Sequence, residues 1–239
     1  MAKHWSDISP DPNCQEVRDF RSKAIQSAWA EPVYHRIQYL AELAKGKSVL
    51  DIGVVDHWVE HRSAEEWLHG AIARSAAKCL GVDVLESEVT KLQAKGFNVM
   101  LRDVTSNPLD EQFDLMVCGE LIEHLGNPGG LFKAAARMLK PGGRMVLTTP
   151  NPFFRGRLID SIEGRMRESV DHVMYLFPSG IAEFAEREGL KLDRYRGVIS
   201  ESYKQIRKGL KLKFARMRHG NSAVDQFCRT YIYEVTKPA

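Results

Sequence analysis

The sequence predicts an α/β fold, a doubly wound and mostly parallel seven-stranded sheet with an N-terminal helical cap. Three observations predict it. Short β-rich runs alternate with helical segments throughout residues 47–151, which is the pattern of parallel strands joined by crossover helices. Two later β-rich runs are joined without a regular crossover helix, so they can pair antiparallel at one edge. Residues 15–46, which precede the first predicted strand, have helical periodicity. A chain of 239 residues with 44% hydrophobic content is also long enough for one sizeable core.

The N-terminal cap is predicted over residues 1–46. Apolar residues recur at steps of three and four in residues 15–29 and 32–46, which predicts two amphipathic helices. Pro32 is expected in the first turn of the second helix, where a missing N–H group costs nothing.

Residues 47–239 are expected to form one domain with a basic insertion near residues 200–228. The predicted strands are, in chain order, KSVLDIGV (47–54), CLGVDV (79–84), FNVMLRDV (97–104), FDLMVCG (113–119), RMVLTTPN (144–151), LKLDRYRGV (190–198) and TYIYEVTK (230–237). The predicted helices are LHGAIARSAAK (68–78), ESEVTKLQAKG (86–96), GGLFKAAARMLKPGG (129–143) and GIAEFAEREG (180–189). The Pro-Gly-Gly run is expected to close the third of these helices.

The formal net charge of +3 is unevenly distributed. Residues 204–218 carry seven Lys or Arg and no acid. Apolar residues recur among these cations in the pattern of an amphipathic helix: Ile206, Leu210, Phe214 and Met217. Three interpretations stay open, because such a helix can lie on an anionic membrane surface, bind the phosphates of RNA, or pack on the domain with solvated lysines.

The cysteines and the apolar runs predict a cytoplasmic protein. The four cysteines are far apart and form no C-x-x-C pair, which is typical of free thiols in a reducing compartment. No run has the length of a transmembrane helix, and the first residues lack the apolar stretch of a signal peptide.

An acidic residue stands at or just after the end of four predicted strands: Asp51, Asp83, Asp103 and Glu120. Ligands of doubly wound sheets bind beyond the carboxyl ends of the strands. One such acid is more often a helix cap or a turn residue, but four at matching positions predict a ligand-binding rim. A nicotinamide cofactor would need a G-x-G-x-x-G turn. Residues 51–58 (DIGVVDHW) contain one glycine, which favours an adenosine cofactor without a pyrophosphate.

Five motifs occur in the order VLDIG, GVDV, RDV, FDLMVCGELIEHL and LKPGGRMVLTTPN. Together they resemble the class I S-adenosylmethionine-dependent methyltransferases over most of the chain, which implies the Rossmann-like methyltransferase fold. By that resemblance, Asp51 and Gly53 border the methionine part of the cofactor. Asp83 accepts hydrogen bonds from the ribose hydroxyls, Asp103 faces the adenine amine, and Glu120 belongs to the same cofactor-binding rim. Carboxylates suit these positions because ribose and aminopurine present donors.

The first motif departs from the family pattern. Val54 and Val55 stand where the family usually has a small residue and a second glycine, and HWVEHRSAEEW (57–67) is inserted before the next helix. The turn after Gly53 is therefore expected to follow a different path. Trp58 or Trp67 would close over the cofactor or pack the insertion, and both alternatives stay open.

The segment GELIEHL (119–125) contains two carboxylates and an imidazole. Glu120, Glu123 and His124 are spaced i, i+3, i+4, so on a helix they share one face. Such a set suits a hard or borderline divalent ion such as Mg²⁺ or Mn²⁺, with His172 expected as a further ligand. His124 or His172 can instead be a general base without a metal, and a purely structural cluster is the third alternative.

Two methyltransferase subgroups resemble this combination closely. The ubiquinone-biosynthesis O-methyltransferase type has the E-x-x-E-H sequence, and the small-RNA 3′-end 2′-O-methyltransferase type adds TTPN and a later D-H. In both, the resemblance implies a divalent ion that binds neighbouring hydroxyls of the substrate. Its ligands here would be Glu120, Glu123, His124 and His172.

These observations predict an S-adenosylmethionine-dependent O-methyltransferase, assisted by a divalent metal, that acts on a hydroxyl of a sugar, a glycan precursor or another small metabolite. An RNA 2′-O-methyltransferase is the nearest alternative, although no nucleic-acid-binding module is recognisable. A non-catalytic binding protein on a methyltransferase fold is the alternative from another class. The loop after TTPN is rich in arginine (Arg155, Arg157, Arg165 and Arg167, with Arg144 just before the strand). It would cover an acidic, phosphorylated or sugar substrate or form an ordinary solvated helix.

Overall fold

Seven strands form one mixed sheet in the computed structural model, which describes residues 4–55, 67–165, 167–199 and 225–239. The strands are β1 (Ser48–Ile52), β2 (Lys78–Asp83), β3 (Val99–Leu101), β4 (Phe113–Gly119), β5 (Leu139–Pro150), β6 (Lys191–Val198) and β7 (Thr230–Thr236). Their order across the sheet is β3-β2-β1-β4-β5-β7-β6. The strands β1 to β5 pair in parallel, whereas β7 is antiparallel to both β5 and β6. The predicted fold class is confirmed; of the two antiparallel-paired strands, β6 lies at one edge of the sheet and β7 lies between β5 and β6.

The α-helices of the described residues are α1 (Gln15–Ala28), α2 (Arg36–Ala44), α3 (Leu68–Ser75), α4 (Glu86–Ala94), α5 (Pro128–Met138), α6 (Arg155–Ile162) and α7 (Pro178–Arg187). One predicted start is wrong, because α2 begins at Arg36 and not at Pro32. The preceding residues instead run beside β6, where the Val33 N–H donates to the Gly197 carbonyl at 3.0 Å. Pairing with this edge satisfies the open hydrogen-bonding groups of the sheet, and it holds the chain extended through Pro32.

The predicted third helix of the domain is shorter than expected. It ends at Met138, and the LKPGG run that follows forms the first part of β5. Gly142 has a φ of 75°, a conformation that glycine adopts without strain. Its N–H donates to the Lys237 carbonyl at 2.9 Å. The helix therefore ends before the Pro-Gly-Gly run, which was expected to close it; the run lies in β5, and Gly142 pairs with the residue after β7.

Helices cover both faces of the sheet, so the central strands are apolar on both sides. In β1, Leu50 belongs to one buried cluster and Val49 to another. The parallel register aligns Ile52 with Cys118 and Gly119 with Thr148. Because these parallel strands end within two residues of this level, the chain segments that follow β1, β4 and β5 meet at the same end of the sheet.

The described part of the predicted cap packs directly on the sheet. Helix α1 contacts β6 and α7, and α2 contacts α3. Arg21 of α1 forms ion pairs with Glu183 at 3.0 Å and Glu186 at 2.8 Å. Among the described residues, every helix is too short or too polar to cross a membrane.

A buried ion-pair network joins β5, β6, β7 and α2. Glu234 is fully buried, and its carboxylate accepts hydrogen bonds from Tyr39 Oη at 2.6 Å and from Arg144 Nη1 at 2.5 Å. Arg196 Nη2 lies 3.5 Å from the same carboxylate. Arg144, which the sequence groups with the arginines of the substrate loop, is therefore held within the sheet by Glu234.

We expect Glu234→Ala to lower the free energy of unfolding by about 3 kcal/mol, because it leaves two guanidinium groups without their buried anion. Urea denaturation measures the change. Glu111→Ala is the matched control, since it removes an exposed ion pair with Lys78 and should change the free energy by less than about 1 kcal/mol. Equal losses in the two variants would contradict a special role of the buried network.

Candidate active site

Two adjoining clefts open at the carboxyl ends of the parallel strands. One has a volume of about 330 Å³ and is lined by the ends of β2 and β3 and by residues 121–127. The other has a volume of about 510 Å³ and extends from β1 to residues 169–172. Gly53, Asp83 and His124 line both. The two clefts therefore form one continuous site along the edge that the sequence predicts.

Asp51 and Gly53 lie at the end of β1. Asp51 is 2% exposed, and its Oδ2 lies 2.9 Å from Nδ1 of His69 on α3. Burial raises the pKa of the Asp51 carboxyl, and the hydrogen bond with His69 opposes this shift. Gly53 has a φ of 76°, and a Cβ there would lie 3.1 Å from the Leu121 side chain. Glycine is therefore required at this turn by both conformation and space.

The turn after Gly53 is held by side chains. The Val54 carbonyl accepts a hydrogen bond from Trp67 Nε1 at 3.0 Å, and the Val55 N–H donates to Asp83 Oδ2 at 2.9 Å. Trp67 is 4% exposed and packs edge-on against Phe97. Trp67 thus packs within the wall of the site. The other tryptophan of the insertion, at position 58, lies outside the described residues.

Asp83 and Asp103 are held very differently. Asp83 is 8% exposed, and its Oδ1 accepts the N–H groups of Val84 at 2.8 Å and Leu85 at 3.0 Å. Its Oδ2 accepts one N–H group, so it keeps capacity for another donor. Asp103 is exposed and accepts hydrogen bonds from Thr105 Oγ1 at 2.6 Å and from Ser106. Partial burial acts to raise the pKa of Asp103, but these hydrogen bonds outweigh it and lower the pKa.

Glu120 does not begin a helix. The helix expected over residues 120–124 is wrong, because only a 3-10 turn over Ile122–His124 forms. The Glu120 N–H donates to the Thr148 carbonyl at 2.9 Å, which extends the β4–β5 pairing, and Glu120 has a φ of 50°. Its Oε1 lies 3.2 Å from Nη1 of Arg36, which also donates to Thr148 Oγ1 at 2.9 Å. Glu120 is thereby directed toward α2 and does not share a helical face with Glu123.

Three of the four predicted metal ligands lie together. One ligand atom each from Glu123, His124 and His172 falls within 4.8 Å of the others. The two imidazole rings meet edge-on with centroids 4.8 Å apart. The Val173 N–H donates to the Glu123 carbonyl at 2.9 Å, and His124 Nδ1 lies 3.1 Å from Asp171. These contacts fasten residues 171–173 onto the 3-10 turn.

The cluster contains two buried polar atoms without a hydrogen-bond partner among the described residues. They are Oε1 of Glu123 and Nδ1 of His172. The other carboxylate oxygen of Glu123 accepts a hydrogen bond from Thr149 Oγ1 at 2.9 Å. Burial raises the pKa of Glu123 to about 7, and the negative charge of Glu120 adds to the effect. A cation at the unpaired atoms would favour the ionised carboxylate, so the residues present fit a divalent metal ion.

The arginines of the substrate loop have partners on the protein. Arg157 pairs with Glu168 at 2.7 Å and stacks on Tyr175, and Arg155 lies over the ring of Phe227 at 4.7 Å. Arg165 and Arg167 pair with Asp160. These contacts agree better with a solvated helix than with an anion clamp. The basic residues 204–218, with their three interpretations, lie outside the described residues.

Two residues of the site are not predicted by the sequence. Arg36 reaches it from α2 and His69 from α3. The signal for His69 is weak: it is a titratable residue in the largely apolar first turn of α3. Both positions become evident only when tertiary contacts bring these helices to the ends of β1 and β4.

The sequence matches the methyltransferase domain family over residues 21–195. It is 30% identical over 178 residues to the ubiquinone biosynthesis O-methyltransferase of Coxiella burnetii strain Dugway 5J108-111, which covers 68% of this chain and 72% of the relative. It is 28% identical over 181 residues to the enzyme of that name from Pseudomonas fluorescens strain SBW25, covering 70% and 73%.

Solved structures with the same fold are more distant in sequence. The S-adenosylmethionine-dependent methyltransferase from Archaeoglobus fulgidus aligns with a TM-score of 0.57 and 18% identity, covering 84% of this chain and 90% of that chain. The magnesium protoporphyrin IX methyltransferase from Synechocystis PCC 6803, solved with bound S-adenosylhomocysteine, aligns with a TM-score of 0.56 and 15% identity, covering 98% and 92%. At these identities the likeness is one of fold.

Proposed function

The chain belongs to the methyltransferase domain family and is an S-adenosylmethionine-dependent methyltransferase, and we propose that it methylates a hydroxyl of a small metabolite with the help of a divalent metal ion. A non-catalytic binding protein is thereby set aside. The cluster of Glu123, His124 and His172 carries the proposal, because it joins two buried unpaired ligand atoms to the cleft. The names of the two relatives support oxygen as the methylated atom.

The cofactor would lie along the continuous cleft. We assign the methionine end to Asp51 and Gly53 and the ribose hydroxyls to Asp83, whose Oδ2 keeps acceptor capacity. Asp103 would face the adenine amine from the 330 Å³ cleft, and Glu120 would border the reacting end. The burial of Asp51 and Asp83 supports these roles, because a carboxylate in a water-poor cleft binds a donor strongly.

Glu123, His124 and His172 would hold the metal ion. When bound, the ion would lower the pKa of the acceptor hydroxyl and fix its oxygen. Two imidazoles with one carboxylate suit a borderline ion better than a hard one, which favours Mn²⁺ over Mg²⁺. Glu120 would join the set only by leaving Arg36, and it would make the set richer in oxygen.

The two histidines of the cluster can also accept the proton of the acceptor hydroxyl. Nδ1 of His172 is buried and makes no hydrogen bond to the described residues, and the Glu168 carboxylate lies 3.9 Å away, so this nitrogen can accept the proton that the hydroxyl releases. His124 is held at Nδ1 by Asp171, which leaves its other nitrogen for the same task. A metal-free mechanism with one of these histidines as general base is therefore the competing form of the proposal.

The acceptor is proposed to be a small metabolite with neighbouring hydroxyls. Sugars and glycan precursors fit the metal chemistry. Val173, which follows His172 in the chain, is 62% exposed, and this apolar side chain favours an acceptor that also has an apolar part. Both relatives are named for ubiquinone biosynthesis, so a hydroxylated precursor from that biosynthesis is the first acceptor to test, with a sugar and a short RNA beside it.

Chelation tests the metal-assisted form. We expect the chelator-treated protein to bind S-adenosylmethionine with unchanged affinity but to lose at least about 100-fold in methyl transfer, and Mn²⁺ to restore it. Calorimetry measures binding and mass spectrometry measures the methylated product. Full activity in chelator would overturn the metal and favour the histidine base. Methylation of RNA alone would favour the RNA 2′-O-methyltransferase.

A further inference from the structure

Asp51 and His69 form a buried hydrogen-bonded pair at the cleft. Each is 2% exposed, and Oδ2 of Asp51 lies 2.9 Å from Nδ1 of His69. Both residues also line the 510 Å³ cleft, so the pair forms part of its wall. A buried hydrogen bond to a carboxylate is stronger than one in water, and it fixes the direction of the carboxylate.

The imidazole of His69 is held in place from several sides. A Cβ on Gly81 would lie 2.7 Å from Cε1 of His69, so β2 must carry glycine there for the ring to fit. The ring lies 5.2 Å from that of Trp67 and 6.0 Å from that of Phe97, measured between centroids. Its position is therefore defined by packing as well as by Asp51.

The glycine-poor turn explains why such a partner is needed. Val54 and Val55 follow Gly53, and the backbone N–H group of Val55 donates to Asp83 Oδ2, so it is not offered to the cofactor. We propose that His69 is a positioning residue that holds the Asp51 carboxylate toward the α-ammonium group of the amino acid end of S-adenosylmethionine. The proposal rests on the assignment of Asp51 to that end in the proposed function.

The charges around Asp51 show what His69 supplies. Burial and the nearby Asp83 raise the pKa of Asp51, whereas His69 lowers it. The thiols of Cys79 and Cys118 also face Asp51, and burial raises their pKa values far enough to keep them neutral. In the cleft, Glu120 is paired with Arg36. Among these described side chains, His69 is thus the one that favours the ionised form of Asp51, the form that the binding of an ammonium group requires.

Three variants and two ligands test the proposal. His69→Leu removes the donor at similar volume, His69→Asn keeps an N–H group near the position of Nδ1, and His69→Gln places it farther out. Phe97→Leu is the packing control, since it loosens the same ring without touching Asp51. S-adenosylmethionine and 5′-deoxy-5′-methylthioadenosine share the nucleoside, but only the former has the amino acid end. Calorimetry gives the affinity of each variant for each ligand.

We expect His69→Leu and His69→Gln to bind S-adenosylmethionine at least about tenfold more weakly and the methylthioadenosine within about twofold of wild type. His69→Asn should recover most of the affinity, and Phe97→Leu should affect both ligands alike. Losing the donor raises the pKa of Asp51, so Asp51 ionises only at higher pH. The pH below which S-adenosylmethionine binding fails should therefore move upward in His69→Leu.

Other results would overturn the proposal. Equal losses for both ligands would give His69 a packing role only, and unchanged affinity for S-adenosylmethionine would give it none. If His69→Leu does not fold, the comparison of asparagine with glutamine at position 69 decides, and equal affinities would count against the proposal. Failure of the wild-type protein to bind S-adenosylmethionine would overturn the proposed function together with this inference. Calorimetry of the wild-type protein therefore distinguishes that failure from the failure of the inference alone.

Discussion

Replacing Glu123 with glutamine is expected to lower the rate of methyl transfer at least about 100-fold and to leave the affinity for S-adenosylmethionine within about twofold of wild type. Glu123 offers the buried unpaired oxygen of the cluster. An amide has no negative charge to hold a divalent ion and cannot accept a proton as a carboxylate can. Cofactor affinity should persist because Asp51, Asp83 and Asp103 lie on β1, β2 and the segment after β3, and Glu120, the other acid assigned to the cofactor, is unchanged in this variant.

The fold should tolerate glutamine at this position. The pKa of Glu123 is raised to about 7, so near neutral pH the protein already holds this side chain in a partly neutral form. The amide oxygen can keep the hydrogen bond that Thr149 Oγ1 donates at 2.9 Å. An unchanged urea midpoint would show that any loss of activity has a chemical cause and does not result from unfolding.

Glu120→Gln is the matched control for Glu123→Gln. The two carboxylates lie three residues apart, but Glu120 pairs with Arg36 and is absent from the group of three ligand atoms. We expect its replacement to cost less than about tenfold in rate, the effect of a partly exposed contact. The affinity for Mn²⁺, measured by calorimetry, should fall in Glu123→Gln and change little in Glu120→Gln. Equal losses would return Glu120 to the ligand set, and full activity of Glu123→Gln would remove the cluster from the chemistry.

The sheet could be predicted from the sequence because its strands carry their own signal. FDLMVCG, for example, is buried on both faces of β4 from Leu115 to Cys118, and a central parallel strand of this kind forms a continuous apolar run. The antiparallel pairing of the two last strands was predicted because no regular crossover helix joins them in the sequence. The position of β7 between β5 and β6 could not be predicted from the sequence, because it depends on where in the sheet the last strand pairs.

The local structure at Glu120 could not be predicted, because a tertiary hydrogen bond decides it. The i, i+3, i+4 spacing favours a helix, but the bond from the Glu120 N–H to the Thr148 carbonyl continues the sheet and places Glu120 at a φ of 50°. A residue other than glycine rarely adopts that conformation. The meeting of Glu123, His124 and His172 was anticipated by resemblance to a family motif and not by any local propensity.

The role of His69 was beyond the sequence for a different reason. It meets Asp51 across 18 residues that include the insertion, and no motif of the family pattern marks it. The pair depends on Gly81, which leaves room for the ring. Sequence reasoning assigned Gly81 to a strand and had no reason to connect it with α3.

Asp83→Asn is expected to weaken the binding of S-adenosylmethionine about 100-fold, because the charge-assisted hydrogen bond that Oδ2 would accept from a ribose hydroxyl is lost. Asparagine offers one acceptor oxygen where Asp83 uses two, and the amide N–H₂ group would face a backbone N–H of Val55, Val84 or Leu85. Asp103→Asn is the matched control. Asp103 is exposed and already bound by Thr105 and Ser106, so we expect a loss below about tenfold.

Two ligands that differ only in a ribose hydroxyl distinguish an effect of Asp83→Asn on ligand recognition from an effect on folding. Wild-type protein should bind 5′-deoxy-5′-methylthioadenosine at least about tenfold more tightly than its 2′-deoxy analogue, since the analogue leaves a buried carboxylate oxygen without its donor. Asp83→Asn should bind the two about equally. A variant that loses affinity for both yet still discriminates would show that Asp83 only braces the turn through Val55. Lost discrimination with an unchanged urea midpoint requires that the carboxylate contacts the ribose, because folding alone does not distinguish the two ligands.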